Sequence, residues 1–396
     1  MSGTGTVTGT VTGGETRFVL ACNPKPHIID RIRARGFEVV AAYPGEAPAH
    51  ASETSALVIA GEPEADGVIA ALSEAGLRER TAGVLTHSEA TLLLADEVAR
   101  RLGLPGNPDG VVHSTIDKGT MRTLLANDDR FAVAHRIAHG PADVDDMIAA
   151  CGTVVAKPRD GAGSAGVRTL TAADDTADLP FPLLAEEHLD GPEYSVEALS
   201  AAGEHRILGV TEKFLFPGTV VESGHLFPGR LNPDEAEELG AFTADFLDLI
   251  GVRLGVTHTE IKLTPKGPRV IETHTRAGGD HIAKLVQLSC GLDPISLSVA
   301  TATGDDPAPE PRPSYWATTQ YRAFGEGRVA RVAGLDLARH MPGVNFVESE
   351  LEAGRRLRRP RHSMDRPLGV VAIGRDPQEA LDNAAHALDQ VRVDLE

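Results

Sequence analysis

THTEIKLTPKGPRVIETHTR, Thr257 to Arg276, reads as two alternating apolar runs joined by a proline/glycine turn. That pattern predicts a β-hairpin. Glu260 and Glu272 fall on its two arms, and their even separation around the turn puts both carboxylates on one face of adjacent strands. Like charges so placed repel unless a cation sits between them. Mg²⁺ bound to phosphate oxygens is the natural partner, because magnesium prefers carboxylate oxygen and usually keeps substrate phosphates in its shell. The plain alternative is a solvent-facing pair compensated by Lys262 and Arg269.

A second stretch upstream, VVAKPRDGAGSAGV (Val154 to Val167), sets Lys157 directly before a loop containing Gly161, Gly163, Ser164 and Gly166. Only seven lysines occur, against 31 arginines, so each lysine carries some information. A glycine-rich hairpin loop can fold over a triphosphate and offer backbone N–H groups to its oxygens. It is not a Walker loop, since the lysine precedes the glycines. Taken alone it reads equally well as a flexible surface hairpin.

With 396 residues, 41% hydrophobic and 24% charged, the chain has the composition of a globular protein of two or three domains. The formal net charge of -19 reads as spread along the chain without a basic stripe, which argues against nucleic acid or an anionic membrane as partner. Cys22, Cys151 and Cys290 form no CxxC pair, so neither a disulfide framework nor a zinc site is indicated and a reducing cytoplasm fits. The opening MSGTGTVTGTVTGGET has no leader-like pattern and reads as a disordered tail over 1–16. No apolar run is long enough to span a bilayer.

From Arg17, RFVLACNP, KPHIIDRIRARG, FEVVAAY, ALVIAGEP, GVIAALSEAG and TAGVLTH alternate strand and helix, predicting a parallel α/β unit over 17–112. Its first turn, ACNPKPH, lacks the GxGxxG of a dinucleotide site. SEATLLLADEVARRLGLPGNP predicts a helix with Ser88 as N-cap. STIDKGTMRTLLAND predicts a single helix, Asp234 to Ile250 another, and Asp280 to Ser289 a third, with Asp280 as a capping residue. TGDDPAPEPRPSYW is a proline-rich crossing, and the tail closes on a helix, DPQEALDNAAHALDQVRVDL.

Lys118 in DKGTMR, Lys157 before the glycine loop, EEHLDGPEYSVE and the Glu260/Glu272 hairpin follow one another in the order and spacing of the ATP-grasp superfamily. The chain resembles an ATP-grasp carboxylate-amine ligase from about Arg17 onward. The resemblance implies an α/β class, with an N-terminal parallel α/β domain, a two-lobed nucleotide-binding unit (113–185 and 186–308) and a C-terminal α+β subdomain (309–396). It also implies ATP and Mg²⁺ as cofactors, with Mn²⁺ able to substitute, and a cytoplasmic homodimer. By motif, Lys118 and Lys157 contact phosphates, Glu186 and Glu187 lie at the adenine edge, and Glu193 takes the ribose. Glu260 and Glu272 ligate the metal, and His274 stands where the family usually has asparagine, as a further neighbour or ligand. Arg276, with the backbone of Gly278 and Gly279, steadies the transferred phosphoryl group.

VVESGHLFPGRL, read as a Gly/Pro-bent segment, carries Glu222, His225 and Arg230. It resembles the substrate-binding loop of L-amino-acid ligases, with Asp280 and His281 as extra contacts and Glu222 as general base. The implied substrates are a small-molecule carboxylate and an amine, both amino acids, joined through an acyl phosphate. Rivals are biotin-carboxylase-like or purine-pathway chemistry, or a nucleotide-binding regulator without turnover.

Overall fold

The computed structural model describes residues 6–8, 16–51 and 56–396. The expected tail over 1–16 lies mostly outside these, but Thr6–Thr8 is an edge strand antiparallel to Leu57–Gly61. Parallel strands Phe18–Cys22, Glu38–Pro44, Leu57–Gly61 and Thr81–Thr86 form the rest of that first sheet. Helices Pro26–Ala34, Ala65–Glu74 and Leu92–Leu102 accompany it. The parallel strands Phe18–Cys22 and Thr81–Thr86 are buried throughout, which is why they read as continuous apolar runs.

A four-stranded antiparallel sheet follows. Leu183–Glu187 lies between His135–Ala138 and Val154–Lys157, and Arg168–Leu170 closes the glycine loop. An eight-stranded sheet then runs from Gly267–His274 through Gly255–Thr264, Glu193–Ala201, Glu204–Leu215 and Glu222–Phe227 into Trp316–Arg322, Leu368–Gly374 and Val344–Ser349. The C-terminal strands therefore extend the sheet that carries the glutamate hairpin.

Several local expectations are corrected. VVESGHLFPGRL is not a bent loop: Glu222–Phe227 is a strand paired on both sides, and a Cβ on Gly224 would stand 2.4 Å from the Gln320 amide. Partner strands far away in sequence override the local glycine and proline signals. The helix expected around Lys118 is two, Val111–Ile116 and Lys118–Leu125, divided where the Asp117 carboxylate accepts the Thr120 N–H at 2.9 Å. Ser88 caps nothing; its hydroxyl accepts from Asn23, and a 3-10 turn, Glu89–Thr91, precedes the helix. Asp280 is no cap either, because it and His281 hold positive φ and the helix begins at Ile282. The final helix stops at Gln390, and Arg392–Leu395 is a strand.

Charge is also less even than composition suggests. Arg355, Arg356, Arg358, Arg359 and Arg361 crowd one segment of this acidic chain and line a groove with Arg328. No single helix among the described residues is long and apolar enough to cross a membrane.

Candidate active site

Glu260 and Glu272 are direct cross-strand partners in the hairpin. They face a cleft of about 1390 Å³, counting its open mouth, between the four-stranded and eight-stranded sheets. Burial opposes the charge of each. Lys213, 2.7 Å from Glu260, outweighs it and holds that carboxyl at about 2. Lys118, 3.0 Å from Glu272, holds the second well below the usual carboxylate range. Both are thus ionised at neutral pH, and ammonium groups approach them from two sides.

That donor set fits a divalent cation with phosphate oxygens completing its shell. His274 does not complete a three-ligand cluster, since no such group exists among the described residues. Its Nε2 lies 3.4 Å from Glu272 and 3.8 Å from Glu89, and its buried Nδ1 has no partner. The imidazole is placed to hydrogen-bond the glutamate.

Lys118 opens its helix at Asp117's cap, which points its ammonium across the cleft, where it also donates to the Gly161 carbonyl at 2.7 Å. Lys157, at the end of its strand, lies 2.7 Å from Glu186, and Arg122 lies 2.5 Å from the other oxygen of the same carboxylate. Burial would raise Glu186, but Arg122 and Lys157 prevail and hold it at about 2. Glu186 is therefore the anchor of two cations rather than a free group at the cleft edge. Glu187 accepts the Ala134 N–H at 3.0 Å while lining the cleft. Glu193 sits 3.1 Å from Lys262 and 3.8 Å from Lys213.

The glycine loop is folded down over this floor. Gly161, Gly163 and Ser164 line the cleft, and Gly166 lies outside its lining. Ser164, at φ 60, donates its hydroxyl to the Val220 carbonyl at 2.9 Å, and the Ser363 N–H donates to the Gly163 carbonyl at 3.1 Å.

At the other end, Arg276 donates to Glu89 at 2.8 Å, and its buried Nε has no partner. Gly279 lines the cleft; Gly278 packs so tightly under it that a Cβ would meet the His258 ring at 2.8 Å. Glu222 accepts from Ser363 at 3.0 Å and lies 3.5 Å from Lys213. His225 is buried, with Nε2 3.1 Å from Asp280. Asp280 is gripped by both terminal nitrogens of Arg366 at 2.6 Å, and that guanidinium lies 3.9 Å over the Tyr321 ring. Burial acts against Asp280's charge, yet His225 and Arg366 drive it far below the carboxylate range. Arg230 does not join them: exposed, it is held bidentately by Glu212 and stacks on Phe214, outside the cleft lining.

Sequence reasoning missed Arg122, Lys213, Glu89, Asp280's partner Arg366, and a buttress beneath Glu260. In that buttress Glu197 lies 3.0 Å from His258, whose other nitrogen lies 3.3 Å from Glu260. Burial would lower His258, but Glu197 keeps it protonated, at about 9. Only the scarcity of lysine pointed to Lys213; the arginines and Glu89 carry no local signal.

An ATP-grasp domain model matches residues 181–284, and an L-amino acid ligase C-terminal domain model matches residues 321–396. The uncharacterized protein y4rH of Sinorhizobium fredii is 29% identical over 324 residues, covering 78% of this chain and 67% of that one. Carnosine synthase 1 of Gallus gallus is 28% identical over 360 residues, 81% of this chain but only 37% of the relative. Among solved structures, the L-amino acid ligase from Bacillus licheniformis superposes with a TM-score of 0.82 at 21% identity, covering 97% of this chain and 100% of that one. Phosphoribosylglycinamide synthetase from Anaerococcus prevotii gives 0.73 at 12%, over 96% and 100%. At these identities the structures speak for the fold, and the two domain models tie the sequence to it. With its paired carboxylates and clustered lysines in one cleft, the chain carries an ATP-grasp domain over residues 181–284 and is similar to the ATP-grasp ligases, the L-amino-acid ligases among them.

Proposed function

We propose that the protein joins the carboxylate of one amino acid to the amine of another, using ATP to make an acyl phosphate and releasing ADP and phosphate. The observation that carries this is the pairing of two ionised carboxylates, Glu260 and Glu272, opposite Lys118, Lys157 and Arg276 in one cleft. Such a site neutralises a transferring phosphoryl group. No covalent side-chain nucleophile is called for; Ser164 and Ser363, the serines lining the cleft, have hydroxyls already bonded to Val220 and Glu222. The match of residues 321–396 to an L-amino acid ligase domain favours amino acids over bicarbonate or a ribonucleotide.

In this reading Glu260 and Glu272 hold Mg²⁺, which when bound neutralises phosphate charge and aligns the nucleotide's phosphates. Lys118 and Lys157 bind phosphate oxygens. Glu187 and the strand end beside it face the base, and Glu193 faces the ribose. The substrate carboxylate oxygen attacks the γ-phosphorus as the bond to the ADP oxygen breaks. Arg276 turns its fork to the transferred group, for which guanidinium geometry is suited. Glu222 and Asp280 attract the substrate ammonium, and Glu222 takes the proton as the amine attacks the acyl carbon and phosphate leaves. The closed glycine loop keeps water from the acyl phosphate.

The test is a pairwise matrix of amino acids and small carboxylates scored for phosphate release, with hydroxylamine as trap. A hydroxamate that forms with one carboxylate, ADP as nucleotide product, and ¹⁸O passing from that carboxylate into phosphate are expected. AMP with pyrophosphate, or unlabelled phosphate during productive turnover, would sink the mechanism.

A further inference from the structure

The groove on the C-terminal subdomain holds charge that the catalytic cleft does not use. Arg328 and Arg356 are cross-strand partners, Gly327 pairing with Leu357 and Arg328 with Arg356. Both are exposed, and partners in such a register share a face, where like charges are destabilising. Arg359 lines the same groove, and neither it nor Arg356 has an ion-pair partner among the described residues.

The surrounding acids are already committed or outnumbered. Glu350 takes Arg355 at 2.5 Å. The Asp365 carboxylate takes Arg358 at 2.7 Å, the Arg361 backbone N–H at 3.0 Å and His362 at 3.5 Å, which fixes the arch from 358 to 365. Glu326 and Glu396 are the other acids on the groove wall. Buried Leu357 pins the segment from beneath, so Arg356 and Arg358 project on a backbone that is already ordered. In a chain of net charge -19, this is a local cationic excess, with Arg328 and Arg356 in register on one strand pair and the Arg328 guanidinium steadied by the Gly354 carbonyl at 2.7 Å.

We infer that this groove binds a multiply charged, phosphate-bearing small molecule bridging Arg328, Arg356 and Arg359. Planar guanidinium forks match phosphate oxygens two at a time, and a bridging polyphosphate removes the Arg328/Arg356 repulsion, which a single weak carboxylate does less well. The groove is distinct from the nucleotide cleft, yet two of its lining residues, His362 and Met364, flank Ser363, which lines the cleft and whose N–H holds the Gly163 carbonyl.

The experiment uses the full chain with its cleft saturated by Mg²⁺ and ADP, and inorganic tripolyphosphate as probe. Amide hydrogen exchange should slow across residues 354–365, and the effect should weaken as salt rises. R356A/R359A should lose at least tenfold in tripolyphosphate affinity while keeping its nucleotide affinity, which also certifies its fold. Pyrophosphate and GTP serve as further arms, separating recognition of a bare phosphate chain from that of a nucleoside polyphosphate; both belong to the proposed class. Absence of protection at 354–365, protection that survives R356A/R359A, or protection by polyglutamate but not by tripolyphosphate would each overturn the assignment. Because the readout is binding, it stands or falls separately from whether amino acids are ligated.

Discussion

Glu260 and Glu272 face each other as a registered cross-strand pair, each neutralised by a different lysine, Lys213 and Lys118. Lys213 comes from the strand Glu204–Leu215 and Lys118 from a helix start nearly a hundred residues earlier, so the two carboxylates are charged by separate parts of the chain. Removing either carboxylate leaves a buried ammonium short of a partner, and the proposed cation site with one arm. Glu272→Gln should cut ADP release by about 10²–10³-fold, the scale of losing one electrostatic stabiliser of the transition state, and should lower the melting temperature because the buried Lys118 ammonium loses its carboxylate partner. Turnover within threefold of the parent at millimolar magnesium would contradict the role. His274→Asn should be tolerated, because an amide N–H can replace the imidazole as donor to Glu272.

Glu186 gives a pH signature. Its folded pKa, about 2, lies below its ordinary value of 4.5. The stabilisation from Arg122 and Lys157 is therefore complete above pH 4.5 and disappears as the pH falls from there toward 2. Urea midpoints from pH 6 to 3 should drop along that limb, and Glu186→Gln should flatten it. Arg122→Leu should cost about 3–5 kcal/mol at neutral pH, since it leaves a buried carboxylate with one partner fewer. An unchanged acid limb in the Gln variant would show that other carboxylates set it.

Lys157→Ala should weaken ATP binding by about 1.5–3 kcal/mol, the range of a charge-assisted contact. Calorimetry of ATP and Mg²⁺ binding measures it, and unchanged affinity would remove Lys157 from the phosphate site.

The glycine loop is held by hydrogen bonds to Val220, Ser363 and Lys118 and buries little, so residues 161–166 should exchange amide hydrogen quickly without nucleotide and slowly with ATP and Mg²⁺. Equal exchange in both states would make the loop a static hairpin.

Arg366 clamps Asp280 with both arms of its guanidinium while stacking on Tyr321. Arg366→Lys cannot do both. It should lower thermal stability, and by loosening Asp280, which also holds His225, it should raise KM for the amino-acid substrate more than it lowers kcat. A loss confined to stability would show that the clamp only holds the C-terminal subdomain in place.

The residues by themselves determined what depends on local period and order. Apolar runs gave the parallel N-terminal strands, the alternation in Thr257–Arg276 gave the hairpin and the facing of Glu260 and Glu272, and the glycines after Lys157 gave a loop that lines the cleft. Tertiary structure alone decided what depends on partners distant in sequence. Glu222–Phe227 is a strand because neighbours at 204–215 and 316–322 supply its hydrogen bonds, against its own glycine and prolines. Arg122, Glu89 and Arg366 enter the site from 64, 187 and 86 positions away from the carboxylates and arginine they pair with. Arg230 leaves it because Glu212, not a ligand, satisfies its fork. Ion pairing inside a low-dielectric cleft is chosen by three-dimensional proximity and desolvation, and neither quantity is written in the spacing of residues along one strand.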